Sequence, residues 1–233
     1  WNGLFLSDKD TLIYSGPVLP AELLDHSNGT VLLHLGDFNG DGKTDILRTW
    51  DDFTLNRLFL STGVDFEDKG AVLNDNYMQH SNGTVRIHIA DFNGDGKDDV
   101  LRTWDDFTLD SLFLSTGEGF LDAGAALDSD YLQHSNGTVR IHIGDFNGDG
   151  KADVLRTWDE YSLNWLFLST GAGFEDMGPV LNENYMQHSN GTVRIHIDDF
   201  DGDGKDDVLR TWDDFTLNSL FLSTDTGFVE RPA

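Results

Sequence analysis

The sequence predicts an all-β protein, a β-propeller of four-stranded antiparallel blades, and three observations support this fold class. A nine-residue acidic and glycine-rich motif recurs four times, with its first aspartate at positions 37, 91, 145 and 199, so that each copy begins 54 residues after the last. Each motif is flanked by short segments with the two-residue apolar alternation of β-strands. No segment shows a helical period. Four short strands in each unit are typical of a propeller blade.

The strands are clearest in the second copy. The segment from Thr84 to Ile89 alternates apolar and polar side chains, which predicts a first strand ahead of the motif. The second, third and fourth strands are predicted over Val100–Trp104, Leu112–Ser115 and Phe120–Leu127. His88, in the middle of the first strand, is expected to pack or to form a hydrogen bond rather than to contact a ligand.

The chain is predicted to be a single repeat domain over residues 1–233. Terminal strands occupy residues 1–20, and the repeats span approximately 26–79, 80–133, 134–187 and 188–233. The chain opens on a third strand, because Trp1 to Ser7 aligns with Leu55 to Ser61. Two arrangements remain open. One is a four-bladed ring closed by its own ends, and the other is an arc of a larger propeller, cut out of it or completed by self-association.

The repeated motif, Asp91 to Asp99 in the second copy, places oxygen-bearing side chains at alternate positions around glycines. Calcium takes six to eight oxygen ligands at about 2.3–2.6 Å, and a glycine at position six permits the sharp turn. Side chains at positions one, three, five and nine and the main-chain carbonyl of position seven are the predicted ligands. About four Ca²⁺ ions are expected at Asp37, Asn39, Asp41, Lys43, Asp45, Asp91, Asn93, Asp95, Lys97, Asp99, Asp145, Asn147, Asp149, Lys151, Asp153, Asp199, Asp201, Asp203, Lys205 and Asp207.

Two alternatives compete with a structural calcium loop. A helix-loop-helix calcium module needs an acidic residue at position twelve, where this chain has Arg48, Arg102, Arg156 and Arg210, and its flanks would be helices. That interpretation fails. The other alternative, in which calcium directly bridges sugar hydroxyls, needs open coordination positions and stays open.

The composition limits the classes of binding partner and the cellular locations that are expected. The net charge of −27 argues against nucleic acid and anionic membrane surfaces. Disulfides are excluded because there is no cysteine, and no apolar run has the length of a membrane span. The chain starts at Trp1 without a signal-like segment, which suggests a trimmed mature protein or an excised domain. Calcium loops suit a calcium-rich exterior, so secretion or surface display is expected.

The sequence resembles FG-GAP or VCBS repeats, the calcium-loop blades of integrin α-subunit propellers and of fungal and bacterial propeller lectins. The pattern Asp-Phe-Asn-Gly-Asp-Gly-Lys-x-Asp carries this resemblance over all four copies. The resemblance implies that the loop joins the first and second strands of a blade and that sugars bind in pockets between neighbouring blades. Propellers of this family usually have seven blades, and four repeats depart from that number.

Strand alternation places the calcium loops at one end of each blade and a set of aromatic and polar residues at the other end. Aromatic rings stack on the apolar face of a pyranose, and polar side chains bind its hydroxyls. The tryptophans could instead form the core between blades. The predicted sugar contacts are Trp50, Trp104, Trp158, Trp212, Tyr77, Tyr131, Tyr185, His80, His134, His188, Asp105 and Asp159.

These residues are compatible with three functions. The first is a multivalent carbohydrate-binding module whose partners are glycans or glycoproteins. The second is an adhesion or scaffold domain that binds a protein partner. The third, a polysaccharide-active enzyme such as a lyase or hydrolase, is weakest, because no copy adds a nucleophile or carboxylate pair that the others lack. No catalytic residue is predicted. Leu23 and Leu32 replace Tyr and Arg in the first copy, so its pocket is expected to be defective.

Overall fold

A computed structural model describes residues 4–8, 11–16, 19, 31–50, 56–73, 85–104, 110–127, 139–158, 164–181, 193–212 and 218–231. Within these ranges the regular structure consists of strands, and no helix is present. The predicted all-β class and the four-stranded antiparallel blades are confirmed.

Four sheets, called here the first to fourth blades, each contain four strands hydrogen-bonded in chain order, and a two-stranded hairpin precedes them. The hairpin consists of β1 (Leu4–Asp8) and β2 (Thr11–Gly16). The first and second blades consist of β3 (Val31–Gly36), β4 (Asp45–Trp50), β5 (Arg57–Ser61), β6 (Phe66–Ala71), β7 (Val85–Ala90), β8 (Asp99–Trp104), β9 (Ser111–Ser115) and β10 (Phe120–Ala125). The third and fourth consist of β11 (Val139–Gly144), β12 (Asp153–Trp158), β13 (Trp165–Ser169), β14 (Phe174–Pro179), β15 (Val193–Asp198), β16 (Asp207–Trp212), β17 (Ser219–Thr224) and β18 (Gly227–Glu230).

The acidic motif connects the first and second strands of every blade, as the resemblance implied. In the second blade these strands pair along their whole length, from Val85 opposite Trp104 to Ala90 opposite Asp99. The ninth motif residue therefore already belongs to the second strand. Neighbouring blades pack face to face without strand pairing, and Leu35 of the first blade and Phe200 of the fourth are exposed, so the four described sheets form an open arc rather than a closed ring.

The apolar core lies between neighbouring blades. We call the side of a blade that packs on the next blade its outgoing face, and the opposite side its incoming face. At the first boundary, Phe38, Leu47 and Leu58 of the first blade pack with Val100 and Phe113 of the second. Equivalent residues form the cores of the next two boundaries. Each blade is therefore stabilised mainly by its neighbours, as in other repeat proteins.

The second motif residue carries much of this packing. The phenylalanine rings at this position in the first three blades are almost completely buried, and each meets the ring of a fourth-strand phenylalanine in the next blade edge to face. A smaller cluster marks the start of the array, where Leu19 packs with Ile46, Phe59 and Phe66 of the first blade.

Candidate functional site

Each acidic loop folds around its first aspartate. In the second blade, the Asp91 carboxylate accepts hydrogen bonds from the backbone N–H groups of Gly94 at 2.7 Å, Asp95 at 3.2 Å and Gly96 at 2.8 Å. Gly94 and Gly96 both have positive φ, at 76° and 83°, a region that glycine adopts without strain. The glycines thus turn three backbone donors toward one carboxylate.

The next two predicted ligands are fixed in the same way. The side-chain oxygen of Asn93 accepts a hydrogen bond from the Asp95 N–H at 2.8 Å, and Asp95 accepts one from the Lys97 N–H at 3.0 Å. The Lys97 ammonium also lies 2.7 Å from the second Asp95 oxygen. A positive charge therefore already sits beside a predicted ligand of the loop.

The ninth motif residue is held deeper in the blade. Asp99 is completely buried, and its carboxylate accepts hydrogen bonds from the N–H groups of Phe92 at 3.1 Å and Ser115 at 2.7 Å. Burial raises the pKa of Asp99 to about 7, and the negative charges of Asp91 and Asp95 add to this effect. A bound divalent cation would offset both effects by stabilising the ionised carboxylate.

The fourth loop brings carboxylates closest together. Single oxygens of Asp199, Asp201 and Asp207 all lie within 4.8 Å of one another. Asp201 stands where the other loops have asparagine, and Lys205 bonds to Asp225 at 3.0 Å while its ammonium is 3.9 Å from Asp203. These donors are the hard oxygens that Ca²⁺ prefers, and the residues therefore fit the expected cation. The calcium ligands themselves stay predictions.

The predicted sugar contacts are only partly within the described residues. Trp50, Trp104, Trp158 and Trp212 are the last residues of β4, β8, β12 and β16, but their side chains are not described. The other candidates, Tyr77, Tyr131, Tyr185, His80, His134, His188, Asp105 and Asp159, lie outside the described residues. Their roles stay predictions.

A cavity of about 380 Å³ lies between β7 of the second blade and β11 of the third. It is lined by Arg86, His88 and the first four residues of β11, Val139 to His142. Because both strands run toward their acidic loops, the cavity extends from the strand ends remote from the loops, at Arg86 and Val139, to the mid-strand residues His88 and His142. The cavity therefore lies at an inter-blade position on the side where sugar binding was predicted.

The cavity histidines are hydrogen-bonded within their own blades. His88 Nε2 lies 3.1 Å from Thr103 Oγ1, and His142 Nε2 lies 2.9 Å from Thr157 Oγ1. Burial lowers the pKa of each histidine to about 4, with the positive charge of the adjacent arginine contributing. Both rings are therefore neutral at pH 7. The expected hydrogen bond of a mid-strand histidine is confirmed, whereas the expectation that such a histidine does not contact a ligand stays a prediction.

Sequence reasoning did not select Arg86 and Arg140 as site residues. The signal was present, because arginine and histidine alternate with apolar residues on one side of β7 and β11. That pattern was interpreted as the polar side of a strand. It did not reveal that the polar side of one blade faces the apolar side of the next across a cavity.

The four sheets and their acidic loops define a repeat protein of the β-propeller class. A family model described as FG-GAP-like repeat matches residues 37–102 and 145–210, more than half of the chain. The chain therefore belongs to the FG-GAP-like repeat family. No curated protein sequence matches it.

Solved structures share the fold at low sequence identity. An Agrocybe aegerita lectin, whose description names specific recognition of non-reducing terminal N-acetylglucosamine, matches with a TM-score of 0.68 and 19% identity over 86% of this chain and 51% of the lectin. A Photorhabdus luminescens Tc holotoxin pore matches with a TM-score of 0.59 and 16% identity, over 98% of this chain and 11% of that chain. The chain thus spans about half the length of the lectin. These identities show a common fold only.

The described residues contain no helix long and apolar enough to span a membrane.

Proposed function

We propose that this chain is a calcium-stabilised, multivalent carbohydrate-binding module, with its sugar sites between blades on the side remote from the acidic loops. The observation that carries the proposal is the cavity between the second and third blades. Its volume of about 380 Å³ falls in the range of small-ligand pockets, about 300–1,000 Å³. The similarity of the fold to a lectin supports the same direction.

The chemistry of the lining suits neutral hydroxyl groups. The guanidinium group of Arg86 carries several N–H donors, whereas Val139 and Ile141 of the facing strand supply apolar surface. Nε2 of His88 is already bonded to Thr103, so only Nδ1 of this neutral ring would serve a sugar hydroxyl group. An arginine in the lining also suits an acidic sugar, and the binding screen distinguishes neutral from acidic glycans.

Calcium has a structural role in this proposal. Aspartates of the acidic loops would hold one ion in each blade, and each ion would stabilise the folded state because the unfolded loop binds it weakly. The sugar cavity is lined by first-strand residues, and none of the described acidic-loop residues is among them. Sugar binding is therefore expected to depend on calcium only through folding. Because the proposed loops need calcium, we also propose a calcium-rich location, either secreted or at the cell surface.

The decisive experiment is a glycan array with the calcium-loaded protein, followed by calorimetric titration of the best ligand. Arg86→Ala is expected to weaken binding at least tenfold. Arg57→Ala is the matched control, because Arg57 pairs with Asp68 at 2.5 Å outside the cavity. The titration is then repeated in EGTA, with the fold followed by circular dichroism.

The outcomes separate the competing functions. Binding that is lost only when the fold is lost supports a lectin with structural calcium. Binding lost in EGTA by a protein that keeps its fold would indicate calcium in direct contact with the sugar. A folded, calcium-loaded protein that binds no glycan would contradict the proposal and favour an adhesion or scaffold domain with a protein partner.

A further inference from the structure

The two ends of the array expose faces that are buried at the internal boundaries. Phe200 of the fourth blade is 41% exposed, whereas its equivalents Phe38, Phe92 and Phe146 are 0%, 0% and 1% exposed. At the other end, Leu33 and Leu35 on β3 are 44% and 62% exposed. Their equivalents in the later blades pack against the preceding blade.

The internal boundaries define what such a face contacts. The backbone N–H of the eighth motif residue donates to the carbonyl oxygen of the first motif residue of the preceding blade at all three boundaries, at 2.8–2.9 Å. Glycines at motif position four also lie against the lysine of the next motif, as Gly40 does against Lys97. By contrast, a Cβ atom on Gly202 of the fourth blade would meet nothing within 4 Å. The outgoing face of the fourth blade is therefore open along its loop as well as at Phe200.

One pair of facing positions does not have the same residues at all three boundaries. The last residue of each first strand faces the eighth motif residue of the next blade, and the internal pairs are Gly36 with Asp98, Ala90 with Ala152, and Gly144 with Asp206. In both Gly–Asp pairs the aspartate accepts a hydrogen bond from the first motif N–H of the preceding blade, at 2.7 Å and 2.8 Å. Larger residues on one side are thus matched by smaller ones on the other.

The unpaired positions at the two ends are Asp198 and Thr44. The Asp198 carboxylate accepts a hydrogen bond from the N–H of Asp199, the first motif residue of its own blade, at 3.0 Å. At the internal boundaries, Asp98 and Asp206 accept the equivalent N–H of the preceding blade. An aspartate opposite Asp198 would bring two carboxylates together. Thr44 is smaller and exposed, and its hydroxyl can donate to a carboxylate.

We propose that the outgoing face of the fourth blade docks on the incoming face of the first blade of a second copy of this chain, with Asp198 against Thr44 and Phe200 against Phe66. This contact extends the internal boundaries by the same spacing, since Phe66 is the equivalent of Phe120, Phe174 and Phe228. The β1–β2 hairpin aligns with β17–β18, and Leu19 already packs in the cluster with Phe66, so docking requires the hairpin and Leu19 to be displaced from the incoming face of the first blade. The assembly is independent of the proposed sugar binding.

The first test is the mass of the 26.0 kDa chain against its concentration, in calcium and about 0.15 M salt, where charge repulsion is screened over about 8 Å. The wild-type mass is expected to rise with concentration, and Phe200→Asp is expected to weaken association at least tenfold. Val64→Asp is the matched control, because Val64 is 64% exposed on a third-to-fourth strand turn of the first blade. A chain that stays at the monomer mass up to several hundred micromolar would overturn the proposal.

The second test uses the absence of cysteine from the chain. A Thr44→Cys protein mixed with an Asp198→Cys protein is expected to form a disulfide between two chains. An Asp198→Cys protein mixed with an exposed Glu175→Cys protein should not. The Ala90→Cys/Ala152→Cys double variant is the positive control within one chain. The proposal is wrong if the mixed single variants form no disulfide while a dilute Thr44→Cys/Asp198→Cys double variant forms an internal one. That result would mean that the chain closes on itself.

Discussion

The ring of Phe92 meets the ring of Phe174 edge to face across the boundary between the second and third blades, with centroids 5.7 Å apart. Phe92 is fully buried there, so Phe92→Ala removes both a packed ring and an aromatic pair. We expect it to lower the free energy of unfolding by about 3–5 kcal/mol. Urea denaturation followed by tryptophan fluorescence measures the change.

The chain contains a control for this prediction. Phe200 occupies the same motif position but is 41% exposed, so Phe200→Ala in dilute monomer is expected to lower the free energy of unfolding by less than half as much. Equal losses at both positions would show that burial between blades is not what Phe92 contributes.

Two aspartates of one acidic loop are expected to respond differently to calcium. Asp95 is exposed, and Asp95→Ala should change stability in EGTA by less than about 1 kcal/mol, because exposed ion pairs contribute little. In excess calcium the same variant should lose the stabilisation of one site, about 2.7 kcal/mol when calcium is at a hundred times the dissociation constant. Thermal unfolding with and without EGTA, together with calorimetric stoichiometry, measures both effects.

Asp99→Asn provides the contrast. Asp99 accepts hydrogen bonds from two backbone N–H groups in a buried position, and an amide would turn its own donor toward one of them. We expect the free energy of unfolding to fall by about 1–3 kcal/mol even in EGTA.

If Asp95→Ala lowers the free energy of unfolding equally with and without calcium, the loop is not a metal site.

Gly36 and Asp98 are expected to be strongly coupled. A Cβ atom on Gly36 would lie 2.7 Å from Ile89 Cγ2 and 2.9 Å from Asp98 Oδ2, so Gly36→Ala should cost about 1–3 kcal/mol. Asp98→Ala removes the acceptor of the Asp37 N–H. The double variant recreates the Ala90–Ala152 pair and should lose less than the sum of the single variants. A double-mutant cycle measures this coupling, and simple additivity would contradict it.

The cavity histidines should make stability fall in weak acid. The pKa of His88 and of His142 is lowered from 6.5 to about 4 in the folded protein, so the unfolded chain takes up protons first as the pH falls. Each ring can therefore reduce the free energy of unfolding by up to about 1.4 kcal/mol per pH unit between pH 6.5 and 4. The His88→Gln/His142→Gln variant should show a shallower fall than wild type in urea titrations at pH 7, 6 and 5. Parallel pH profiles would mean that neither ring is shielded from protonation.

Sequence reasoning located the strands well because their signals are local. The alternation from Val85 to Ala90 and the position of the motif fix the first two strands of a blade within a residue or two. The fourth strand ends at Ala125 rather than Leu127, and Leu127 packs in the core between the second and third blades. Local patterns contain no information about such contacts between blades.

The candidate sites were predictable to different degrees. The acidic loops were evident because all their ligand-type residues lie within nine positions. The cavity was not evident, because Arg86 and Ile141 belong to different blades and line one cavity only after folding. The aromatic residues proposed to stack on sugar stay predictions, since their side chains lie outside the described residues.

The boundary pairs also determine how the gene can be shortened. Deleting residues 37–90 would set Gly36 opposite Ala152, two small residues that leave room for each other. Deleting residues 91–144, a segment of equal length, would set Ala90 opposite Asp206, where a methyl group would lie 2.9 Å from a carboxylate oxygen. Recombination between near-identical units is therefore not neutral, and the order of the four copies is itself inherited information.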